Sequence, residues 1–171
     1  MRPCDVVIRP ATPEDAAGIR QVHLGAFPTA AEADLVQELE RAGDAVVSIV
    51  AEDEGIVGHV LFSRMEVLAE GRPLAALGLA PVAVVQSRQS EGIGGALIEA
   101  GLSRADELGT DIVFLLGEPG YYRRFGFEAS AAEPFASPYA GPYFQALPLA
   151  ADYARPDSGR ANYAPAFAGF E

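Results

Sequence analysis

The segment from Ala75 to Leu108 limits the folds open to this chain more than any other part of it. It reads as a strand interrupted by Gly78 and Pro81, then the loop Gln86 to Gly92, then apolar residues at helical spacing (Ile93, Leu97, Ala100, Ala105, Leu108). Proline cannot donate to a β-ladder, so a strand carrying Pro81 must lie at an edge or lose regular pairing there. A glycine loop at a helix N-terminus presents unpaired N–H groups and the positive end of the helix dipole, a setting for a phosphate. Two common phosphate-binding patterns are excluded. A P-loop ends in Gly-Lys-Ser/Thr, and all 12 cationic residues of this chain are arginine. A dinucleotide fingerprint counted from Gly92 needs Gly or Ala where Leu97 stands, and it belongs to the first strand–helix unit, whereas three strands precede this loop.

The remaining pattern is that of one mixed α/β domain. Val6, Val7 and Ile8 form a short β-branched run ended by Pro10. Thr12-Pro13-Glu14-Asp15 reads as a helix start, with an N-cap threonine, proline at the first helical position and acids in the first turn. Ala16, Ile19, Val22, His23 and Ala26 continue it at helical spacing. Thr29-Ala30-Ala31-Glu32 has the form of a capping box and opens a second helix, with Leu35, Val36 and Leu39 on one face and Gly43 as its stop. A hairpin follows, Val46 to Ala51 and Ile56 to Val67 around an acidic turn. Ile112 to Leu116 is a continuous apolar run, hence a buried strand. Tyr121 to Phe125 has room for a turn or two of helix, and beyond Phe127 only Tyr143 to Leu147 reads as a strand. The order is β-α-α-β-β-β-α-β-α-β over residues 1–149. Residues 150–171 form an arm holding Tyr153, Tyr163, Phe167 and Phe170. Solvated tails are poor in aromatics, so this arm is expected to pack on the domain or on a second subunit of a homodimer.

Composition removes several function classes. Acids outnumber arginines 24 to 12, a formal charge of −12 with no net basic stretch, which argues against nucleic-acid binding. The longest uncharged apolar run, Leu74 to Ser87, is shorter than the roughly 20 residues of a membrane helix and contains Pro81. The start, Met1 to Asp5, has no apolar leader region, so a cytoplasmic setting is expected. Cys4 is the single cysteine, and His23 and His59 lack metal-ligand spacing, so neither a disulfide nor a metal is expected.

Gln89-Ser90-Glu91-Gly92-Ile93-Gly94 fits a third phosphate-loop pattern, Gln/Arg-x-x-Gly-x-Gly/Ala. Val82-Ala83-Val84 precedes it, and Tyr122-Arg123-Arg124-Phe125-Gly126-Phe127 fits Tyr-x-x-x-Gly-Phe. With these motifs the chain resembles the GNAT superfamily of N-acetyltransferases. The runs Gly117 to Phe127, Gly58 to Ser63 and Tyr163 to Phe167 resemble one bacterial subgroup of it. The resemblance implies a mixed, mostly antiparallel sheet with a splayed middle strand, flanked by helices. It implies acetyl-CoA as co-substrate, no metal, and transfer of acetyl to a primary amine of a small molecule or peptide by direct attack in a ternary complex. Val82, Ala83 and Val84 would line the pantetheine arm; Gln89, Ser90, Glu91, Gly92, Ile93, Gly94 and Gly95 would hold the pyrophosphate. The chain departs from the family at Gln86, usually proline, at Leu115, often asparagine, and at Glu91, often Lys, Arg or Gly. Glu91 is tolerable if it turns outward, with Arg88 to compensate.

Such a reaction needs a base for the amine, donors for the carbonyl oxygen and an acid for the leaving thiolate. Backbone N–H groups around Val84 can serve the oxygen. Tyr122 is the candidate acid, because a phenol of pKa ~10 stays protonated at neutral pH beside a thiol of pKa ~8.5. Glu32 and His59 are the candidate bases. Their competing roles are structural: Glu32 as capping partner of Thr29, His59 as a buried, hydrogen-bonded histidine. His23 falls on the apolar stripe of the first helix and is expected to be structural. The alternative function is an acyl-CoA-binding sensor without turnover, motivated by Glu91 and by the lack of an obvious base.

Overall fold

A computed structural model describes residues 6–169. β1 (Val7–Pro10) runs through a 3-10 turn at Pro13–Asp15 into α1 (Ala16–Ala26). Thr12 N–H donates to Asp15 Oδ2 at 2.8 Å, so the predicted helix start holds, opened by a tighter turn. α2 (Ala31–Ala42) ends at Gly43, whose φ of 78° is one that glycine adopts without strain. Then come β2 (Ala45–Glu52), β3 (Ile56–Ala69), β4 (Arg72–Val84), α3 (Ile93–Glu107) and β5 (Ile112–Leu116). The last part adds α4 (Pro119–Tyr122), α5 (Ala129–Ala132), β6 (Phe135–Ala136), β7 (Phe144–Pro148) and β8 (Gly159–Asn162).

The sheet runs β1-β2-β3-β4-β5-β7, antiparallel except between β4 and β5. Strand alternation sorts the core into two layers. Val60 and Phe62 of β3 pack with Ile93, Leu97, Ile98 and Ala105 of α3 on one face. Leu61 packs on the other face with Ile19, Leu35, Val36 and Leu39 of the two N-terminal helices. Pro81 produces a bulge: Val60 pairs Val82 but Phe62 pairs Leu79, so Ala80 and Pro81 together oppose Leu61.

Several expectations need correction. Ala30, not Thr29, is the N-cap of α2, and the Thr29 hydroxyl accepts the Ala31 N–H at 3.3 Å. The helix thus starts one residue late for a capping box, and Glu32 is released from it. Leu108 lies just past α3 and is exposed; the buried face is Ile93, Leu97, Ile98, Gly101 and Ala105. α5, β6 and β8 carry too little local signal to be read from sequence. β8 pairs antiparallel with Glu66 to Ala69 of β3 and parallel with β6. Just beyond it, the Tyr163 ring covers Gly78, where a Cβ would lie 2.6 Å from its Cε1.

Gly101 is where α3 crosses Phe62. A methyl there would clash with Phe62 Cε1 and lie 2.7 Å from Cζ, on a ring fully buried in the core. Overpacking costs about 1–3 kcal/mol and outweighs the roughly 1 kcal/mol of helix propensity that alanine brings. Gly101→Ala is therefore expected to lower the urea midpoint; an unchanged or raised midpoint would show that Phe62 can move aside freely.

Candidate active site

β4 and β5 pair only at Ala76–Ile112, Leu77–Val113 and Gly78–Phe114. Past Gly78, β4 continues through Leu79 to Val84 beside β3 alone, while Leu115 and Leu116 of β5 pair with β7. The bulge at Ala80 and Pro81 lies where the two strands part. The outcome is an open wedge with strand backbone on its walls.

The loop closing the wide end is built from side-chain anchors and two left-handed residues. Gln89 Nε2 donates to the Val84 carbonyl at 3.0 Å. Ser90 (φ 69°) and Gly92 (φ 87°) then swing the chain into α3. The first amide bonded back to this turn is Ala96, to Gly92 O at 3.0 Å, so the N–H groups of Ile93, Gly94 and Gly95 precede the helical ladder, bond to nothing among the described residues and can take an anion. Ile93 itself is buried and fixes the helix end on the sheet.

Glu91 turns to Arg88. Arg88 Nε donates to Glu91 Oε1 at 3.0 Å and Nη1 to Asp53 Oδ2 at 2.9 Å, joining the loop to the β2–β3 turn. The two carboxylates, Glu91 first, raise the guanidinium pKa. The negative charge that looked unfavourable beside a pyrophosphate is therefore held by a cation.

α4 lies over the same helix end. A Cβ on Gly94 would be 3.7 Å from the Tyr121 hydroxyl, and one on Gly95 3.7 Å from Phe125. Tyr122 packs against Gly117, where a Cβ would clash with its ring, and edge-on to Tyr121 at 4.9 Å. Gly117 is held in turn by Gln145, whose Nε2 donates to its carbonyl at 2.8 Å. Burial, then Tyr121, push the Tyr122 hydroxyl pKa up, so it keeps its proton at neutral pH.

The opposite face of the sheet holds the two histidines. His59 stands across from Ala83 in the stretch of β4 that β5 has left. Its Nδ1 is 2.9 Å from His23 Nε2 and its Nε2 is 2.8 Å from Ser48 Oγ, so both ring nitrogens are engaged. Both rings are fully buried. Burial lowers the His23 pKa to about 4, and burial with the neighbouring ring lowers His59 to about 3. Glu32 precedes Leu35 and Val36 by one turn on the buried stripe of α2, and its Oε1 is buried with no hydrogen-bond partner among the described residues. Sequence reasoning missed the partners: Ser48, Asp53, Gln145, and His23 as more than packing. Only Ser48 left a readable signal, since the hairpin register puts it on the face of His59. Cys4 and Phe170 lie outside the described residues. Among those residues no cluster of three or more His, Cys, Asp or Glu could hold a metal, and no helix is long and apolar enough to cross a membrane.

A mixed sheet parted between β4 and β5, with helix amides at the opening, is a cleft shaped for a ligand that has an anionic group at one end and an extended arm along strand backbone. Residues 7–130 match the acetyltransferase (GNAT) domain family, and the chain belongs to that family. It is 38% identical over 128 residues to the uncharacterized N-acetyltransferase YhbS of Escherichia coli K12, covering 74% of this chain and 75% of the relative. It is 40% identical over 133 residues to YjhQ of the same organism, another uncharacterized N-acetyltransferase, covering 75% and 73%. Among solved structures, E. coli YhbS in complex with CoA superposes with a TM-score of 0.88 at 33% identity, covering 97% of this chain and 93% of that one. A GNAT family acetyltransferase from Brucella melitensis in complex with acetyl-CoA gives 0.77 at 39% identity, covering 95% and 97%.

Proposed function

We propose that this chain binds acetyl-CoA in the wedge between β4 and β5 and transfers the acetyl group to a primary amine, of a small molecule or peptide, in a ternary complex. The observation that carries this reading is the parting of β4 from β5 beyond Gly78, which ends at the free amides of Ile93, Gly94 and Gly95. Those amides suit the pyrophosphate, with Gln89, Ser90, Glu91 and Gly92 shaping the turn. Val82, Ala83 and Val84 offer strand backbone to the pantetheine and to the oxygen that becomes anionic during attack. Tyr122 donates its proton to the departing thiolate. Glu32, with a buried oxygen that has no hydrogen-bond partner among the described residues, meets the cationic amine. His59 has no ring nitrogen of its own to offer a substrate. The complexes of the YhbS and Brucella relatives with CoA and acetyl-CoA support the same ligand here. The Arg88–Glu91 pair removes a main motive for a sensor without turnover.

The test is release of CoA thiol from acetyl-CoA with a panel of primary amines: a polyamine, an aromatic monoamine and a peptide with a free N-terminus. Tyr122→Phe is expected to lower kcat about 100-fold, within the usual range for a lost general acid, with acetyl-CoA affinity unchanged by calorimetry. A wild-type rate in Tyr122→Phe at every pH would remove the assigned role, and tight acetyl-CoA binding without turnover on the whole panel would favour the sensor.

A further inference from the structure

We infer that His23, His59 and Ser48 form a proton relay that carries the proton released by the acceptor amine through the protein to a separate cavity at the edge of β2; this rests on the acetyl-transfer reading above. The chain of hydrogen bonds is continuous: His23 Nε2 to His59 Nδ1 at 2.9 Å, then His59 Nε2 to Ser48 Oγ at 2.8 Å. Its outer end is Ser48, which lines an open cavity of about 700 Å³ between α1, α2 and the part of β2 beyond β1. Its inner end is His23 Nδ1, fully buried and without a hydrogen-bond partner among the described residues.

Burying a ring nitrogen with nothing to bond costs free energy, so an orphaned nitrogen on an otherwise saturated chain points to a visitor. The position of His23 fits the amine. It lies in the last turn of α1, stacked on Phe27, and the chain enters α2 and Glu32 a few residues later. Its partner His59 is one strand away from Ala83, in the open stretch of β4.

Two neutral arrangements of the chain exist, related by moving one proton along each bond. In the first, His23 Nε2–H donates to His59 Nδ1 and His59 Nε2–H donates to Ser48 Oγ, leaving a lone pair on His23 Nδ1. When that lone pair takes the amine proton, the Nε2 proton passes to His59 Nδ1, the His59 Nε2 proton passes to Ser48 Oγ, and the serine gives its own proton to water in the cavity. The net change is one proton moved from amine to solvent and a chain left in the second arrangement, with no ring ending charged. Reset runs the shift inward: a proton enters at Ser48 from the cavity, and the His23 Nδ1 proton leaves on the active-site side to replace the one that Tyr122 gave to the thiolate. The groups facing the relay do not compete for the proton. β4 contributes the Ala83 methyl, β2 the Ser48 hydroxyl and α1 the Phe27 ring that follows it. The carboxylate that acts on His59 is Asp15, already bonded to Arg9 at 2.8 Å, and on α2 the titratable group of the buried stripe is Glu32.

The experiment compares the full chain with Ser48→Ala and Ser48→Thr, the latter keeping a hydroxyl with the cavity beside it to take the methyl. Histidine 15N NMR at pH 7 is expected to show both rings neutral and the His59 Nε2 signal displaced in Ser48→Ala. With the panel amine of highest kcat, Ser48→Ala is expected to lower kcat about tenfold at unchanged acetyl-CoA KM, and Ser48→Thr to restore most of it. A charged ring at pH 7, a wild-type kcat in Ser48→Ala, or a loss that Ser48→Thr does not recover would each overturn the relay. An active wild type with an indifferent Ser48→Ala overturns the relay alone, whereas a wild type inert on every amine overturns the acetyl-transfer reading and the relay with it.

Discussion

Lowering the pH from 7 to 5 is expected to remove about 4 kcal/mol of folding free energy through two histidines alone. His23 and His59 are buried neutral, with pKa values of about 4 and about 3 in the folded chain. In the unfolded chain they return to about 6.5, so below that pH the unfolded state binds protons that the native state refuses. Each ring then weakens the fold by about 1.4 kcal/mol per pH unit, beginning near pH 6.5 and finished once the folded rings titrate. Asp15 works in the same direction at lower pH, because its hydrogen bond to Arg9 holds its pKa far below the usual carboxylate range and that stability is lost only as the carboxylate protonates. Urea unfolding at pH 7.5, 6 and 5 measures the slope. Replacing both rings, His23→Leu with His59→Leu, should flatten it above pH 5. Equal stability at pH 7 and pH 5 in the wild type would mean that the rings are open to water or already charged.

Truncation after Leu149 is the second large effect. It removes β8 and with it the ladder to Glu66–Ala69 of β3. It also removes Ala161, Ala164 and Phe167, all buried, and the Tyr163 ring that packs on Tyr139, Phe144 and Phe167. Loss of a buried large aromatic costs about 3–5 kcal/mol, and two of them approach the whole 5–15 kcal/mol stability of an ordinary domain. The shortened chain is expected to lose its cooperative melting transition and its near-ultraviolet dichroism. Tyr163→Ala alone should lower stability by about 3 kcal/mol, since the cavity sits between two clusters that cannot both collapse into it. A truncated protein that keeps its melting temperature and its amine preference would make the segment dispensable.

Much of this was legible in the order of residues, for reasons that are local. Pro81 announces a disturbed strand, Gln89 to Gly95 a turn into a helix, and Ile112 to Leu116 a strand, buried from Ile112 to Leu115 and exposed at Leu116. What could not be read depends on contacts distant along the chain. Gly159-Arg160-Ala161-Asn162 has little intrinsic preference for a strand, and becomes one because β3 outruns β2 and leaves four residues of edge to be paired. Glu32 matches a capping box in spelling, but the bend at Thr29 shifts the helix start by one residue and frees the carboxylate. The link between His23 and His59 needs both the docking of α1 on the sheet and the register of the hairpin, neither of which is written in a short window.

Tyr163 on Gly78 has a consequence for synthesis. The apex of the wedge is sealed by a residue that leaves the ribosome 47 positions after Leu116, the last of β5. Both wall sequences are therefore synthesised well before their wedge-stop exists, and until it arrives the nascent chain leaves exposed to water the apolar residues that Tyr163 and Phe167 cover. A chaperone that shields apolar surface would meet this intermediate rather than a finished enzyme. Catalytic competence on this scheme arrives late and all at once, when the segment around Tyr163 and Phe167 is available and the domain can fold around it. A translational pause placed between the codons for β5 and Tyr163 would lengthen the vulnerable interval, and is expected to raise the aggregated fraction more than a pause of equal length anywhere upstream.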